Sequence, residues 1–220
     1  IVSFEIRNNS LGESGGMGLC EGLACNSSVR TLIIADNNIQ DNGAIALGGA
    51  IRSNTSLNEV DATGSGCNFY ANCIMWQNSD LRGGISLKTD GDSPFQNAVG
   101  QMANDRPHIT QLDFGGTRLN RLDCDWLADQ FSGNRNLELL SMRGVLNSDT
   151  LGLICAGVSR SQVQEFDVSG SGLGGGDPLC SLHNLTTLFA QDNSFGSGAR
   201  RIISSIGRSV ENINLRNSAS

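Results

Sequence analysis

Residues 29–51 read VRTLIIADNNIQDNGAIALGGAI, and the two halves of this stretch carry different periods. In the first half Leu32 and Ile34 alternate with their neighbours, so every second side chain falls on one side of a short strand. In the second half Ile39, Gly43, Leu47 and Ile51 recur every four residues, the spacing of one helix face. Asn37 sits at the junction, where a small polar side chain can bond the backbone of the adjoining turn. The stretch therefore predicts a strand, a turn and a helix.

The same frame recurs along the chain, and recurrence at a fixed period marks a repeat architecture. Ile1, Phe4, Ile6, Asn9 and Leu11 stand 28 residues ahead of Val29, Leu32, Ile34, Asn37 and Ile39. Further copies begin at Leu57, Ile109, Leu137, Val163, Leu185 and Val210, so successive starts lie 28, 28, 52, 28, 26, 22 and 25 residues apart. The small polar slot holds Asn9, Asn37, Ser65, Thr117, Ser171, Asn193 and Ser218, and Val145 in the fifth copy breaks the series. Gly15 or Gly16, and Gly43, are expected at the turn into the helix.

Each copy thus runs apolar-x-x-apolar-x-apolar-x-x-N/S/T-x-apolar and then turns helical. This pattern resembles leucine-rich repeats, and the 28-residue length with a helix is similar to the ribonuclease-inhibitor-like class. The resemblance covers residues 1–65 and 92–220 and implies an α/β solenoid. In that class the solenoid is a horseshoe, with parallel strands on its concave face and helices on its convex face. The class includes inhibitors, GTPase-activating proteins, sensors and cytoskeletal or ciliary subunits, so it implies an architecture rather than a task. The expected organisation is one leucine-rich repeat domain of about eight repeats over 1–220. Because the chain opens inside a repeat, on Ile1, it is expected to be part of something longer.

Two places depart from the frame. The 52-residue step leaves a surplus near 68–91, NFYANCIMWQNSDLRGGISLKTDG, in which no apolar-x-x-apolar-x-apolar strand can be placed. It reads as an insertion loop within the third repeat, with two degenerate repeats of 26 as the alternative. The stretch holds Tyr70 and Trp76, residue types enriched at binding hot spots, and so is a possible contact loop. A helix resumes after it, with Ser93 as N-cap and Pro94 in the first turn. In the 22-residue copy, GLGGGDPLCSL at 172–182 stands where a helix belongs and predicts a turn or a short 3₁₀ segment.

Composition narrows the function classes. The 15 basic and 22 acidic residues leave a net charge of −7, with the basic residues scattered. That balance favours a basic or neutral protein partner over nucleic acid or an anionic membrane. No apolar run is long enough to span a bilayer. The seven cysteines show no zinc-like spacing and read as free thiols of a reducing compartment, with a Cys67–Cys73 bridge as the other possibility. Sequons start at Asn8, Asn26, Asn54 and Asn184.

Catalytic chemistry leaves no pattern. His108 and His183 stand before strands, far from any nucleophile context, and read as polar groups of surface turns. GLGGGD at 172–177 lacks the Lys-Ser/Thr of a phosphate loop. DGD at 90–92 and DCD at 123–125 lack a calcium-hand loop. No catalytic residue, metal site or cofactor is expected, and the chain reads as a non-enzyme.

The repeat does fix which strand residues face outward. Between the inner apolar positions lie Glu5, Ile33, Asp61, Asp113, Ser141, Asp167, Phe189 and Asn214. Two residues earlier come Glu59 and Glu165, and two later Arg7, Arg143 and Arg216. The expected protein-binding face therefore carries Glu59, Asp61, Asp113, Glu165 and Asp167, with Arg143 at its edge. Eight strands about 5 Å apart make a face roughly 35 Å long, enough for a partner helix or small domain. The reading that follows is a protein-interaction scaffold in a multisubunit assembly, cytoplasmic and of cytoskeletal or ciliary type. Two alternatives are kept: a GTPase-activating or other regulatory repeat protein, using a loop residue such as Asn38 or Arg118, and an extracellular adhesin or receptor glycosylated at Asn26 or Asn54.

Overall fold

The computed structural model describes residues 2–218. Every strand read from the sequence is present, and each spans three residues centred on an inner apolar side chain. The chain divides into two compact units, residues 1–104 and 105–220, and each is described by itself.

The first unit holds β1 (Ser3–Glu5), α1 (Gly12–Ala24), β2 (Thr31–Ile33), α2 (Gln40–Ser53), β3 (Glu59–Asp61), α3 (Phe69–Arg82), β4 (Ser86–Lys88) and α4 (Ser93–Ala103). Its four strands are all parallel, in the order β1-β2-β3-β4, and Phe4, Leu32, Val60 and Leu87 align across them. The second unit holds β5 (Gln111–Asp113), α5 (Arg121–Phe131), β6 (Leu139–Ser141), α6 (Ser148–Val158) and β7 (Glu165–Asp167). A 3₁₀ turn (Asp177–Ser181), β8 (Thr187–Phe189), α7 (Gly198–Ile206) and β9 (Asn212–Asn214) complete it. Its strands are parallel in the order β5-β6-β7-β8-β9, with Leu112, Leu140, Phe166, Leu188 and Ile213 in register. Parallel order with a crossover after every strand is the α/β repeat pattern.

Residues 68–91 are not an insertion loop. They form α3 and β4, and β4 pairs with β3 through Glu59↔Ser86, Val60↔Leu87 and Asp61↔Lys88. The 52-residue step divides into 27, from Glu59 to Ser86, and 25, from Ser86 to Gln111. The alternative of two degenerate repeats is the observed one. In this copy Gly84 and Thr89 occupy the two flanking slots that are apolar elsewhere. Thr89 is nonetheless buried, because its Oγ1 accepts from Trp76 Nε1 at 3.0 Å and donates to Gln96 Oε1 at 2.7 Å. A satisfied hydroxyl can replace a methyl group in a core at little net cost.

The junction residues bind one repeat to the next. Asn37, fully buried, accepts from the amides of Asn9 (2.9 Å) and Leu11 (3.3 Å). Its Nδ2 donates to the carbonyls of Ile6, Ile34 and Ala35 at 2.8, 2.8 and 3.1 Å. Asn193 repeats the arrangement with the Leu173 amide and the Val168 and Ala190 carbonyls. A second rung precedes the strands: Asn54 Nδ2 donates to the carbonyls of Leu23 and Asn26, and its Oδ1 accepts from the Ser56 and Leu57 amides. These side chains satisfy backbone groups that the short parallel strands leave unpaired.

Glycines set how closely the helices approach. Gly16 and Gly43, expected at turns, lie inside α1 and α2, where a Cβ on either would stand 2.8 Å from the Ile39 Cβ. The N-cap of α4 is Asp92 rather than Ser93, accepting from the Phe95 amide at 3.2 Å. The glycine-rich 172–182 stretch forms the expected 3₁₀ turn.

Candidate protein-binding surface

On the strands, Glu59 and Asp61 flank buried Val60, Asp113 follows buried Leu112, and Glu165 and Asp167 flank buried Phe166. They do not form one uniform set. In the first unit they are countered within the chain. Arg7 Nη2 lies 3.4 Å from Asp61 Oδ2, and Lys88 Nζ lies 3.9 Å from Glu59 Oε1. Arg7 also reaches Glu5 at 3.7 Å and Asp36 at 3.6 Å. Burial alone would raise the pKa of Asp61, but the Thr63 hydroxyl and amide, with Arg7 and Lys88, hold it below the ordinary carboxylate value. The side chain therefore stays ionised at neutral pH, bonded to Thr63 Oγ1 at 2.7 Å.

The second unit differs. Among the described residues, Asp113, Glu165 and Asp167 form no salt bridge. Asp113 Oδ1 and Asp167 Oδ1 each accept the amide two residues on, from Gly115 at 2.9 Å and Ser169 at 2.8 Å, and Glu165 is exposed. Leu139 and Phe189, half-buried, flank β7 on the same side. Arg143 is exposed past the end of β6. Unpaired surface carboxylates beside half-buried apolar groups are what a recognition patch needs for steering and for contact area.

Tyr70 and Trp76 are not on a contact loop. Both lie on α3 and pack against the first unit's core, with Tyr70 Oη donating to Asp41 Oδ2 at 3.1 Å and Trp76 held by Thr89. Asp41 also accepts from the Asn68 amide and Nδ2, so it fastens the start of α3 to α2. The sequence signal for this role was the polar pair Thr89 and Gln96, invisible to an apolar template. Asn38 and Arg118 are exposed on the loops leaving β2 and β5. The two histidines are exposed. Asn54 is 2% exposed and its amide is engaged twice, so the folded chain offers no room for a glycan there.

Four of the seven thiols are core groups, whereas Cys25 is exposed and Cys67 and Cys180 are half-buried. Cys20, Cys73, Cys124 and Cys155 are buried, and burial pushes Cys20 up to about 12 and Cys124 up to about 11. Cys67 is pushed up to about 11 by burial and bonds Asn72 Oδ1 at 3.2 Å. No helix is long and apolar enough to cross a membrane, and no metal-ligating cluster of three or more His, Cys, Asp or Glu occurs among the described residues.

The fold and surface define an α/β protein of parallel strands alternating with helices, and this description rests on the strand pairing of the chain itself. No protein-family model matches the chain, and no curated protein matches it. Among solved structures it is similar to the leiomodin-1 actin-binding site 2, at TM-score 0.48 and 11% identity, over 57% of this chain and 81% of that one. A TLR13–ssRNA13 complex aligns at TM-score 0.33 and 16% identity, over 96% of this chain and 28% of that one.

Proposed function

We propose that the chain is a non-enzymatic protein-interaction scaffold of leucine-rich repeat type, similar to the ribonuclease-inhibitor-like class, that binds through the outward faces of its strands. The horseshoe and its concave face belong to this proposal. The observation that carries it is the face of β5–β9, where Asp113, Glu165 and Asp167 form no salt bridge among the described residues and Leu139 and Phe189 stand opposite Glu165 and Asp167. The partner is a protein with a basic or neutral surface, within a multisubunit and cytoplasmic assembly of cytoskeletal or ciliary kind. The buried thiols favour a reducing compartment. The extracellular alternative keeps Asn26, which is half-exposed, and loses Asn54.

Charge reversal tests this reading. Replacing Asp113, Glu165 and Asp167 by Lys is expected to abolish the partners recovered by cross-linking mass spectrometry in native extract. Reversing Asp125 and Asp129, exposed on α5, is expected to leave them in place. Partners that survive the first variant as well as the second remove the strand face from consideration.

A further inference from the structure

The two units carry the same acidic pair at the same repeat positions, with different neighbours. On β3, Glu59 and Asp61 meet Lys88 and Arg7, and the Thr63 hydroxyl donates to Asp61. On β7, Glu165 and Asp167 form no salt bridge among the described residues, and Ser169, the counterpart of Thr63, buries its hydroxyl with no hydrogen-bond partner. Ser169 is 0% exposed and lies in the turn just past the end of β7. Gln191, on the neighbouring strand's continuation, likewise keeps a buried Oε1 without a partner. Where β4 places Lys88 beside Asp61, β8 places Phe189 beside Asp167.

From this internal comparison we propose that β7 is a docking position for an arginine side chain of a partner protein. The inference rests on the scaffold reading and specifies its ligand. Glu165 and Asp167 stand about 7 Å apart on one strand. They supply the negative charge that Arg7 and Lys88 satisfy from within the chain on β3. The guanidinium is planar and stacks on an aromatic face, so Phe189 favours arginine over lysine. Its several fixed N–H donors also suit a site that offers two carboxylates on one strand. Leu139, opposite Glu165 on β6, offers contact for an apolar neighbour in the partner segment. Arg143 opposes the ligand by like charge, and it forms no salt bridge among the described residues.

The test titrates the 220-residue chain with three peptides, acetyl-Gly-Leu-X-Leu-Gly-amide, where X is arginine, lysine or citrulline, followed by backbone-amide NMR. Saturable shifts are expected over 165–169 and 189–191 and not over 59–63. Affinity is expected to fall from arginine to lysine to citrulline, by at least about tenfold across the series, the worth of one charge-assisted bond. Asp167→Asn keeps an acceptor for the Ser169 amide and is expected to weaken the arginine peptide by about tenfold. Ser169→Ala, which removes a hydroxyl buried away from solvent, is expected to leave the arginine peptide's affinity within about twofold of the wild-type value. Arg143→Gln is expected to tighten binding. Three equal peptides, shifts centred on β3, or weaker binding in Arg143→Gln would each overturn the proposal. If charge reversal strips native partners while the arginine peptide produces no shifts, the arginine inference fails and the scaffold reading stands. If reversal strips nothing, the scaffold reading itself fails.

Discussion

Asn37→Ala is expected to destabilise the first unit by about 4 kcal/mol in urea unfolding, although it removes only a small polar side chain. The amide of Asn37 holds five backbone groups of two successive repeats, all within 3.3 Å. A buried backbone donor or acceptor left without a partner costs about 1–3 kcal/mol. Partial rehydration at the Asn9 side, which is exposed, keeps the total below the sum. Asn9→Ala is the internal control. Asn9 fills the same repeat slot, yet it is exposed and its side chain donates only within its own turn, to Ile6 and Arg7. That variant is expected to cost about 1 kcal/mol. Equal costs at the two positions would show that the junction residues shape local turns and do not tie repeats together. Because the chain forms two units, the loss should appear in one transition and leave the other in place if the units unfold separately.

Gly157→Ala and Gly152→Ala, five residues apart on α6, are expected to move stability in opposite directions. At Gly157 a Cβ would stand 2.8 Å from the Ala128 Cα and press on the Ala128 carbonyl oxygen. Those are backbone atoms of α5, which cannot rotate away as a side-chain tip would. Overpacking of this kind costs about 3 kcal/mol, more than the roughly 1 kcal/mol that alanine gains over glycine in a helix. At Gly152 nothing lies within 4 Å, so only the propensity gain remains, about 0.8 kcal/mol of added stability. Thermal unfolding of both variants settles the matter. A stabilising Gly157→Ala would mean that α5 and α6 do not approach as closely as described.

The strand half of each repeat was legible because three buried positions recur with the same spacing, and Leu32, Val60, Leu140 and Leu188 sit where the template puts them. The fourth strand escaped because Leu87 is its only apolar residue at the three template positions. A reading keyed to apolar residues cannot see that Thr89 is buried through Trp76 and Gln96. The same misreading turned Tyr70 and Trp76 into a contact loop when they fasten α3 to its neighbours. Gly16 and Gly43 were legible as special but not as to why, since the close pass of α1 over Ile39 is a tertiary fact. The acidic face was legible in position and not in charge balance. Alternation alone places Asp61 and Asp167 outward, whereas only the fold brings Arg7, two strands away, onto Asp61 and gives Asp167 no salt bridge among the described residues.

Among the described residues, nine three-residue strands lie parallel and in register within their units, and β4 departs furthest from the repeat pattern. Hydrogen-bond couplings across backbone amides by NMR address its pairing directly. A coupling from the Ala62 amide to the Lys88 carbonyl, 2.9 Å apart, is expected, together with one from the Ser86 amide to the Asn58 carbonyl, also 2.9 Å apart. Absence of both, with residues 84–90 exchanging freely as a loop, would contradict the stacked-repeat description and the outward placement of the carboxylates that depends on it.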